Sequence, residues 1–224
     1  MATQTTNDVK TNEWYIGQPQ KNSHGGTFFP IYATKDAKIA PRVQIGDASS
    51  KVRCPFGVTQ FGDTGGSGRM SLDMSVSDVK IQQFLQKIDK FILESVWNRR
   101  TEFFGKKAPA TFELLKENYV PLLNPKQDFD PLFKTKINSS SLMVFKIQDG
   151  RLRDKRNEPD EVTSGSEVVP VCSFTKLWIM GQRFGCTALT NAVMLWQSTP
   201  KAAEDIFRNM HLIDATPLLP VPAG

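Results

Sequence analysis

The sequence has few of the residues that build disulfide frameworks, zinc sites or catalytic triads. Its 224 residues include three cysteines and two histidines. Cys54, Cys172 and Cys186 are odd in number and lack CxxC spacing, so we expect reduced thiols rather than a disulfide framework or a zinc site. His24 and His211 have no cysteine or aspartate at ligand spacing, which argues against zinc and against a Ser-His-Asp arrangement.

Long apolar runs are also missing. No stretch approaches the roughly 20 apolar residues of a membrane-spanning helix. The N-terminal stretch MATQTTNDVKTNEW is polar and lacks the apolar centre of a signal peptide. We therefore expect a soluble, intracellular protein that is not secreted and has no membrane partner.

The chain offers no assembled set of catalytic groups. The stretch from Gly57 to Thr64 imitates the glycine spacing of a phosphate-binding loop, but Asp63 stands where that loop needs a lysine, and an acid would repel phosphate. Asp128 and Asp130 lie close to prolines and look like turn residues. Because no nucleophile, base and oxyanion-stabilising group come together, we expect a protein that is not an enzyme and holds no metal or cofactor.

Positive charge is concentrated in the middle of the chain, whose overall net charge is +5. Residues 77–156 carry 16 basic and 10 acidic side chains, a net charge of +6, against +2 for residues 1–76 and −3 for residues 157–224. Such clustering is typical of a phosphate-binding face, and equally of lysines and arginines on a solvated helix.

Short strands predominate in the first third of the chain. Residues 1–24 are polar, and we expect a flexible N-terminal segment there. Strands are predicted at residues 27–32, 42–45 and 51–58, and a flexible glycine-rich loop at 62–68. Residues 69–76 alternate strictly, which predicts a strand with one face in the core, formed by Met70, Leu72, Met74 and Val76.

Two helices follow and form a predicted insertion at about residues 77–120. Ser77 can cap the first, and apolar residues recur at helical spacing up to about Arg99, namely Ile81, Phe84, Leu85, Ile88, Ile92 and Val96. The second, shorter helix is predicted from Thr111 to Tyr119 and is stopped by Pro121.

The second half of the chain returns to strands. Between residues 131 and 152 the period is two, so Lys134 and Lys136 are expected on one face of a strand and Phe133 on the other. Residues 151–166 are predicted to form a charged loop. The last predicted strands are at 167–174, 177–180 and 192–196.

This order of elements predicts the fold class and the domain limits. A domain at residues 25–198 is followed by a C-terminal segment, 199–224, in which Thr199 and Pro200 open a helix that ends near His211 before a proline-rich tail. We expect a mainly β (α+β) fold, an OB-like five-stranded barrel with a long helix inserted between strands and a short C-terminal helix. A β-sandwich with a helical insertion has the same order.

Basic and aromatic residues interleave in four stretches, at 97–107, 133–136, 145–146 and 176–184. Single-stranded nucleic acid is held by cationic grooves and by aromatic faces under its bases. The alternative is that most of these aromatic residues belong to the core, and we expect Trp178 and Phe184 to be the most exposed. The predicted nucleic-acid-binding residues are Arg99, Arg100, Lys106, Lys107, Lys134, Lys136, Lys146, Lys176, Trp178, Arg183 and Phe184.

Three segments between Pro41 and Trp196 carry a resemblance to known proteins. They are PRVQIG with VRCPFGV at 41–46 and 52–58; the strand at 70–76, its helix, the GKK loop at 105–107 and FKTK at 133–136; and residues 165–169 with Trp178, Gly185 and 192–195. In their order, these segments resemble the OB-fold single-stranded DNA-binding proteins of short-tailed phages and related proteins of large eukaryotic DNA viruses.

The resemblance implies sequence-independent binding of single-stranded DNA in DNA replication, recombination or repair, often by a homodimer. It also implies replication proteins as partners, and a location in the nucleus or at a cytoplasmic replication site of a host cell. The phage proteins end in a strongly acidic tail that recruits such partners. Residues 199–224 instead hold three acidic and two basic side chains, which argues against recruitment by the tail.

Two other functions fit the same sequence. One is a structural or virion-associated interaction protein that uses the fold without binding DNA. The other is an RNA-binding protein.

Overall fold

The computed structural model describes residues 3–6, 8–21, 26–61, 69–138, 141–148, 151–156 and 158–196. The predicted glycine-rich loop at 62–68, the predicted C-terminal helix from Thr199 to His211 and the proline-rich tail lie outside the described residues. The described part of the chain is mostly β, with a few helices.

The strands and helices are numbered in chain order. The strands are β1 (Gln4–Thr5), β2 (Tyr15–Ile16), β3 (Gln20–Lys21), β4 (Thr27–Tyr32), β5 (Arg42–Gln44), β6 (Val52–Cys54), β7 (Val58–Phe61), β8 (Arg69–Ser75), β9 (Tyr119–Val120), β10 (Leu123–Asn124), β11 (Leu132–Ile137), β12 (Met143–Gln148), β13 (Arg151–Arg156), β14 (Ser166–Met180) and β15 (Arg183–Trp196). The helices are α1 (Val79–Asn98), α2 (Arg100–Phe104) and α3 (Phe112–Glu117), with 3₁₀ turns at Thr11–Glu13, Gly105–Lys107 and Pro159–Glu161.

Five strands close into a barrel. Strand β6 pairs with β8 and with β14, β8 pairs with β11, β11 pairs with β15, and β15 pairs with β14. If the five barrel strands β6, β8, β11, β14 and β15 are counted as the first to the fifth, their order around the ring is first, second, third, fifth, fourth. The third and fifth of them, β11 and β15, are parallel. This closed ring confirms the OB-like barrel and excludes a sandwich, whose two sheets stay separate.

The barrel strands show the alternation that the sequence predicts. On β8, Leu72 and Met74 are fully buried, and on β11 Phe133 is fully buried. Lys134 and Lys136 are exposed on the outer face of β11. The period of two therefore sorts apolar side chains into the barrel and lysines onto its surface.

Helix α1 packs its apolar stripe on the barrel as predicted, but its N-cap is Asp78 and not Ser77. The Asp78 carboxylate accepts hydrogen bonds from the backbone amides of Lys80 and Ile81 at 2.7 and 3.1 Å. All six predicted apolar residues of the stripe are buried. Phe84 contacts Phe174 of β14, with ring centroids 6.5 Å apart, so the stripe extends the core of the barrel.

Residues 8–21 of the N-terminal segment pack on the domain, which differs from the expectation of a flexible stretch over residues 1–24. Trp14 is 6% exposed, and its ring centroid lies 5.9 Å from that of Phe91 on α1 and 5.4 Å from that of Phe174. Strands β2 and β3 pair with β4. The segment is polar by composition, but its few apolar residues reach the core, which composition alone does not reveal.

The last two strands are longer than predicted. Strand β14 is one bent strand where two were expected, with shifts of register after Val171 and after Phe174. Strand β15 begins at Arg183, directly after a turn in which Gly181 has a φ of 65°. Strand β13 occupies the first part of the predicted charged loop, because it pairs with β12.

Candidate nucleic-acid interface

A groove of about 1310 Å³ runs along the outer surface of the barrel. Its walls come from β4, β8, β11, the β14–β15 hairpin and the segment at 119–125. In OB-folds the outer face of the second and third strands and the loop between the fourth and fifth strands bind oligonucleotides. The groove therefore lies where this fold offers a surface for an extended ligand.

Four cationic residues line this groove. Lys134 and Lys136 come from β11, Lys176 from β14 and Arg183 from the start of β15. No aspartate or glutamate is among the described residues that line it. A groove lined by charge of one sign concentrates ligands of the opposite sign, so this one favours a polyanion.

One carboxylate lies beside the lining. Asp73 of β8 is opposite Lys134 in the register, with its carboxylate 3.4 Å from Lys134 Nζ. The Lys134 side chain is 55% exposed and that of Asp73 is 17% exposed, so the ammonium group of this pair is accessible from the solvent side. A phosphate can therefore compete with Asp73 for this ammonium group.

Two half-exposed aromatic side chains lie next to each other in the groove. Trp178 of β14 and Phe28 of β4 are direct partners in the register, so both side chains lie on the same face of the sheet. Lys176 Nζ lies 4.9 Å from the centroid of the Phe28 ring. Sequence reasoning missed Phe28. The sequence did contain a signal: Phe28 and Phe29 are neighbours on a predicted strand and must face opposite sides, so that if Phe29 is buried, Phe28 faces outward. Phe29 is 3% exposed.

A buried carboxylate supports the wall at 119–125. Asp89 of α1 accepts hydrogen bonds from the Tyr119 hydroxyl at 2.6 Å and from the Leu122 backbone amide at 3.1 Å. Burial raises the pKa of Asp89 to about 6, and the two hydrogen bonds act in the opposite direction. Burial, and then the Asp89 charge, hold the pKa of Tyr119 well above its usual value. Helix α1 and the groove wall are thereby joined.

Phe184 lies in the core, which corrects the expectation of an exposed aromatic residue. It is fully buried between Phe104 and Tyr119, with ring centroids 5.7 and 5.1 Å away. The turn between β14 and β15 pairs Trp178 with Gly185. Because neighbouring residues on a strand face opposite sides, Phe184 must face away from Trp178.

Arg99 and Arg100 are not among the residues that line the groove. The side chains of both interact with other groups of the protein. Arg99 donates hydrogen bonds of 2.8 and 2.6 Å to the Glu102 carboxylate and one of 2.6 Å to the carbonyl oxygen of Ile16. The hydrogen bond to Glu102 raises the pKa of Arg99. The Arg100 guanidinium lies 4.2 Å from the centroid of the Trp97 ring. Both arginines thus make contacts within the protein where α1 ends and α2 begins.

Three predicted lysines also lie away from the groove lining. Lys106 and Lys107 are exposed on the 3₁₀ turn after α2. Lys146 of β12 forms an ion pair of 2.7 Å with Glu161, and its side chain is 13% exposed. The structure therefore brings five of the predicted residues together in the groove, namely Lys134, Lys136, Lys176, Trp178 and Arg183.

Neither a metal cluster nor a membrane helix is found in the described part of the chain. Among those residues, no group of three or more His, Cys, Asp and Glu is placed to hold a metal ion. None of the helices there is long and apolar enough to cross a membrane. Cys54 and Cys172 are buried, which raises the pKa of each thiol to about 12.

Comparison with known proteins identifies similar solved structures from phages. No protein-family profile and no curated protein matches the chain by sequence. The single-stranded DNA-binding protein from bacteriophage Enc34, in complex with single-stranded DNA, is 14% identical and has a TM-score of 0.40, with 81% of this chain and 95% of that chain covered. The corresponding values for gp2.5, a single-stranded DNA-binding protein encoded by bacteriophage T7, are 16%, 0.46, 76% and 95%. Likeness to proteins of eukaryotic viruses stays a prediction.

Proposed function

We propose that this chain is a sequence-independent single-stranded DNA-binding protein, and that the strand lies in the groove on the barrel. The observation that carries the proposal is the composition of that groove. Four cationic residues and two neighbouring, half-exposed aromatic residues line it, and no carboxylate does so among the described residues.

Each component of the groove has a counterpart in a single strand. Phosphates bind the ammonium and guanidinium groups, and bases stack on Trp178 and Phe28, at about 1–3 kcal/mol per stacked base. Stacking on a side chain needs a base that is not already enclosed in a duplex. Every base has a flat face, so stacking does not select a sequence.

The choice of DNA, and the role in replication, recombination or repair, rest on the resemblance in motif order to the phage proteins. The proposal contains no catalytic step, because binding of a single strand needs only the cations and the flat aromatic surfaces of the groove. A homodimer, replication proteins as partners, and a nuclear or cytoplasmic replication site remain parts of the same proposal. Light scattering of the purified chain tests the dimer.

Binding to matched oligonucleotides tests the function. Fluorescence titrations with oligo-dT, oligo-dA, oligo-rU and a DNA duplex should give similar affinities for the two single-stranded DNAs and an affinity at least tenfold lower for the duplex. Affinity for single strands should fall steeply with salt. Tighter binding of oligo-rU would instead identify an RNA-binding protein. Absence of binding to every oligonucleotide would favour the structural or virion-associated interaction protein.

A further inference from the structure

Trp178 lies over a glycine in the neighbouring strand. In the β14–β15 hairpin, Gly185 is the direct partner of Trp178. A β-carbon built at position 185 would lie 2.7 Å from Cζ2 and 3.0 Å from Cε2 of the indole. Real β-carbons essentially never come so close to another heavy atom. The indole therefore occupies the space that any side chain at position 185 would need.

Backbone conformation does not explain this glycine. Five described glycines, at 46, 57, 105, 165 and 181, have positive φ angles, and Gly185 is not among them. It lies within strand β15, where other residues adopt the same extended backbone. The space at position 185 is taken up by its neighbours, above all by the indole of Trp178, which explains why the position has no side chain.

We propose that Gly185 is a positioning residue of the groove, which lets the Trp178 indole lie against β15 as a platform for an unpaired base. The stacking of a base rests on the proposed function. The placement of the indole concerns the protein alone.

The surroundings of Gly185 support a firmly held platform. The carbonyl oxygen of Val120 would lie 3.1 Å from the added β-carbon, so the other side of position 185 is occupied as well. Val120 pairs with Gly185, and the next residues of this wall are anchored to Asp89. A platform already held in place loses little conformational freedom when a base stacks on it.

A substitution with a matched control tests the placement directly. Gly185→Ala adds one carbon under the indole. Gly17→Ala adds one carbon 2.7 Å from Cε2 of Tyr32, an equal clash with an aromatic ring that does not line the groove. With 5-fluorotryptophan incorporated, the four tryptophans give four ¹⁹F resonances, and Trp178→Phe assigns one of them.

Gly185→Ala should shift the Trp178 resonance, whereas Gly17→Ala should leave it in place. A Trp178 resonance that is the same in Gly185→Ala as in the unmodified chain would overturn the positioning role. This readout needs no nucleic acid. It therefore stays informative if the unmodified chain fails to bind oligo-dT, an outcome that would refute the proposed function instead.

Affinity for oligo-dT provides the second readout. Removing one stacked base weakens binding about 5- to 150-fold. Trp178→Ala should show such a decrease, and Gly185→Ala a decrease up to the same size with an unchanged salt dependence. The double variant should bind like Trp178→Ala, since no indole is left to displace. Additive decreases in the double variant would show that Gly185 acts independently of Trp178.

Thermal melts keep the test valid if Gly185→Ala folds poorly. Removing the indole makes room for the added carbon, so Gly185→Ala should lower the melting temperature less in the Trp178→Ala background than in the unmodified chain. An equal decrease in both backgrounds would contradict the contact on which the proposal depends.

Discussion

The Asp89 carboxylate accepts a hydrogen bond of 2.6 Å from the Tyr119 hydroxyl and so joins the middle of α1 to the wall of the groove. The same carboxylate accepts a hydrogen bond of 3.1 Å from the backbone amide of Leu122. A helix that packs the barrel core on one face thus also supports the binding surface. The contact carries a cost, because the carboxylate is buried away from water.

Asp89 should make the stability of the protein depend on pH. Burial raises its pKa from 3.8 to about 6, so between about pH 4 and 6 the folded protein holds a proton that the unfolded chain has released. The contribution of Asp89 to the free energy of unfolding is therefore fully present below about pH 4. It is lost as the pH rises through 6, which lowers the free energy of unfolding by about 3 kcal/mol. Asp89→Asn should flatten this dependence in urea unfolding between pH 4 and 7. Identical pH profiles for the two proteins would rule out this role.

The apolar stripe of α1 should dominate the stability of the barrel. Leu85 and Ile88 are fully buried, so Leu85→Ala or Ile88→Ala should each reduce the free energy of unfolding by about 2–5 kcal/mol. Lys87→Ala, at an exposed position between them, serves as the control and should change it by less than about 0.5 kcal/mol. Chemical denaturation measures all three. Equal stability of Leu85→Ala and Lys87→Ala would mean that α1 does not pack on the barrel.

The N-terminal segment should contribute to stability as a part of the core. Trp14 contacts Phe91 and Phe174, so Trp14→Ala should cost about 3–5 kcal/mol in chemical denaturation. A flexible N-terminal segment, the expectation from its composition, would give no measurable change.

Local periodicity is enough to predict α1 and two of the barrel strands, β8 and β11. The alternation from Leu72 to Val76 and the helical spacing from Ile81 to Val96 are each produced by one buried face, as expected, whereas Met70 at the start of β8 is only partly buried and lines the groove. The exposure of Lys134 and Lys136 follows from the same rule. Where a helix or strand has one buried face, the periodicity of its sequence predicts which side chains point away from the core.

Contacts between distant segments could not be predicted in this way. The basic residues near Phe184 in the sequence led to the prediction that its side chain is exposed. Which face of β15 it lies on is determined by the turn that pairs Trp178 with Gly185. The arginines at 99 and 100 look like phosphate ligands until their contacts with Glu102 and Trp97 are known. Only the fold distinguishes them from the cations that line the groove.

Chelation should leave both folding and binding unchanged. The described residues contain no cluster of metal ligands, and the groove binds phosphate through side chains alone in our proposal. Melting temperature and oligo-dT affinity should be the same with and without EDTA. A melting temperature that falls on addition of EDTA would require a metal site.

The salt dependence of oligo-dT binding tests the central claim, that the groove holds the phosphates of a single strand. The double variant Lys176→Gln/Arg183→Gln removes two groove cations, and Lys106→Gln/Lys107→Gln removes two exposed lysines outside the groove lining. Both change the net charge equally. Only the groove variant should lower the slope of log affinity against log salt, by about 0.7 for each phosphate that is no longer neutralised. An unchanged slope in the groove variant, with a reduced slope in the Lys106/Lys107 variant, would contradict the account and place the strand on the helical insertion.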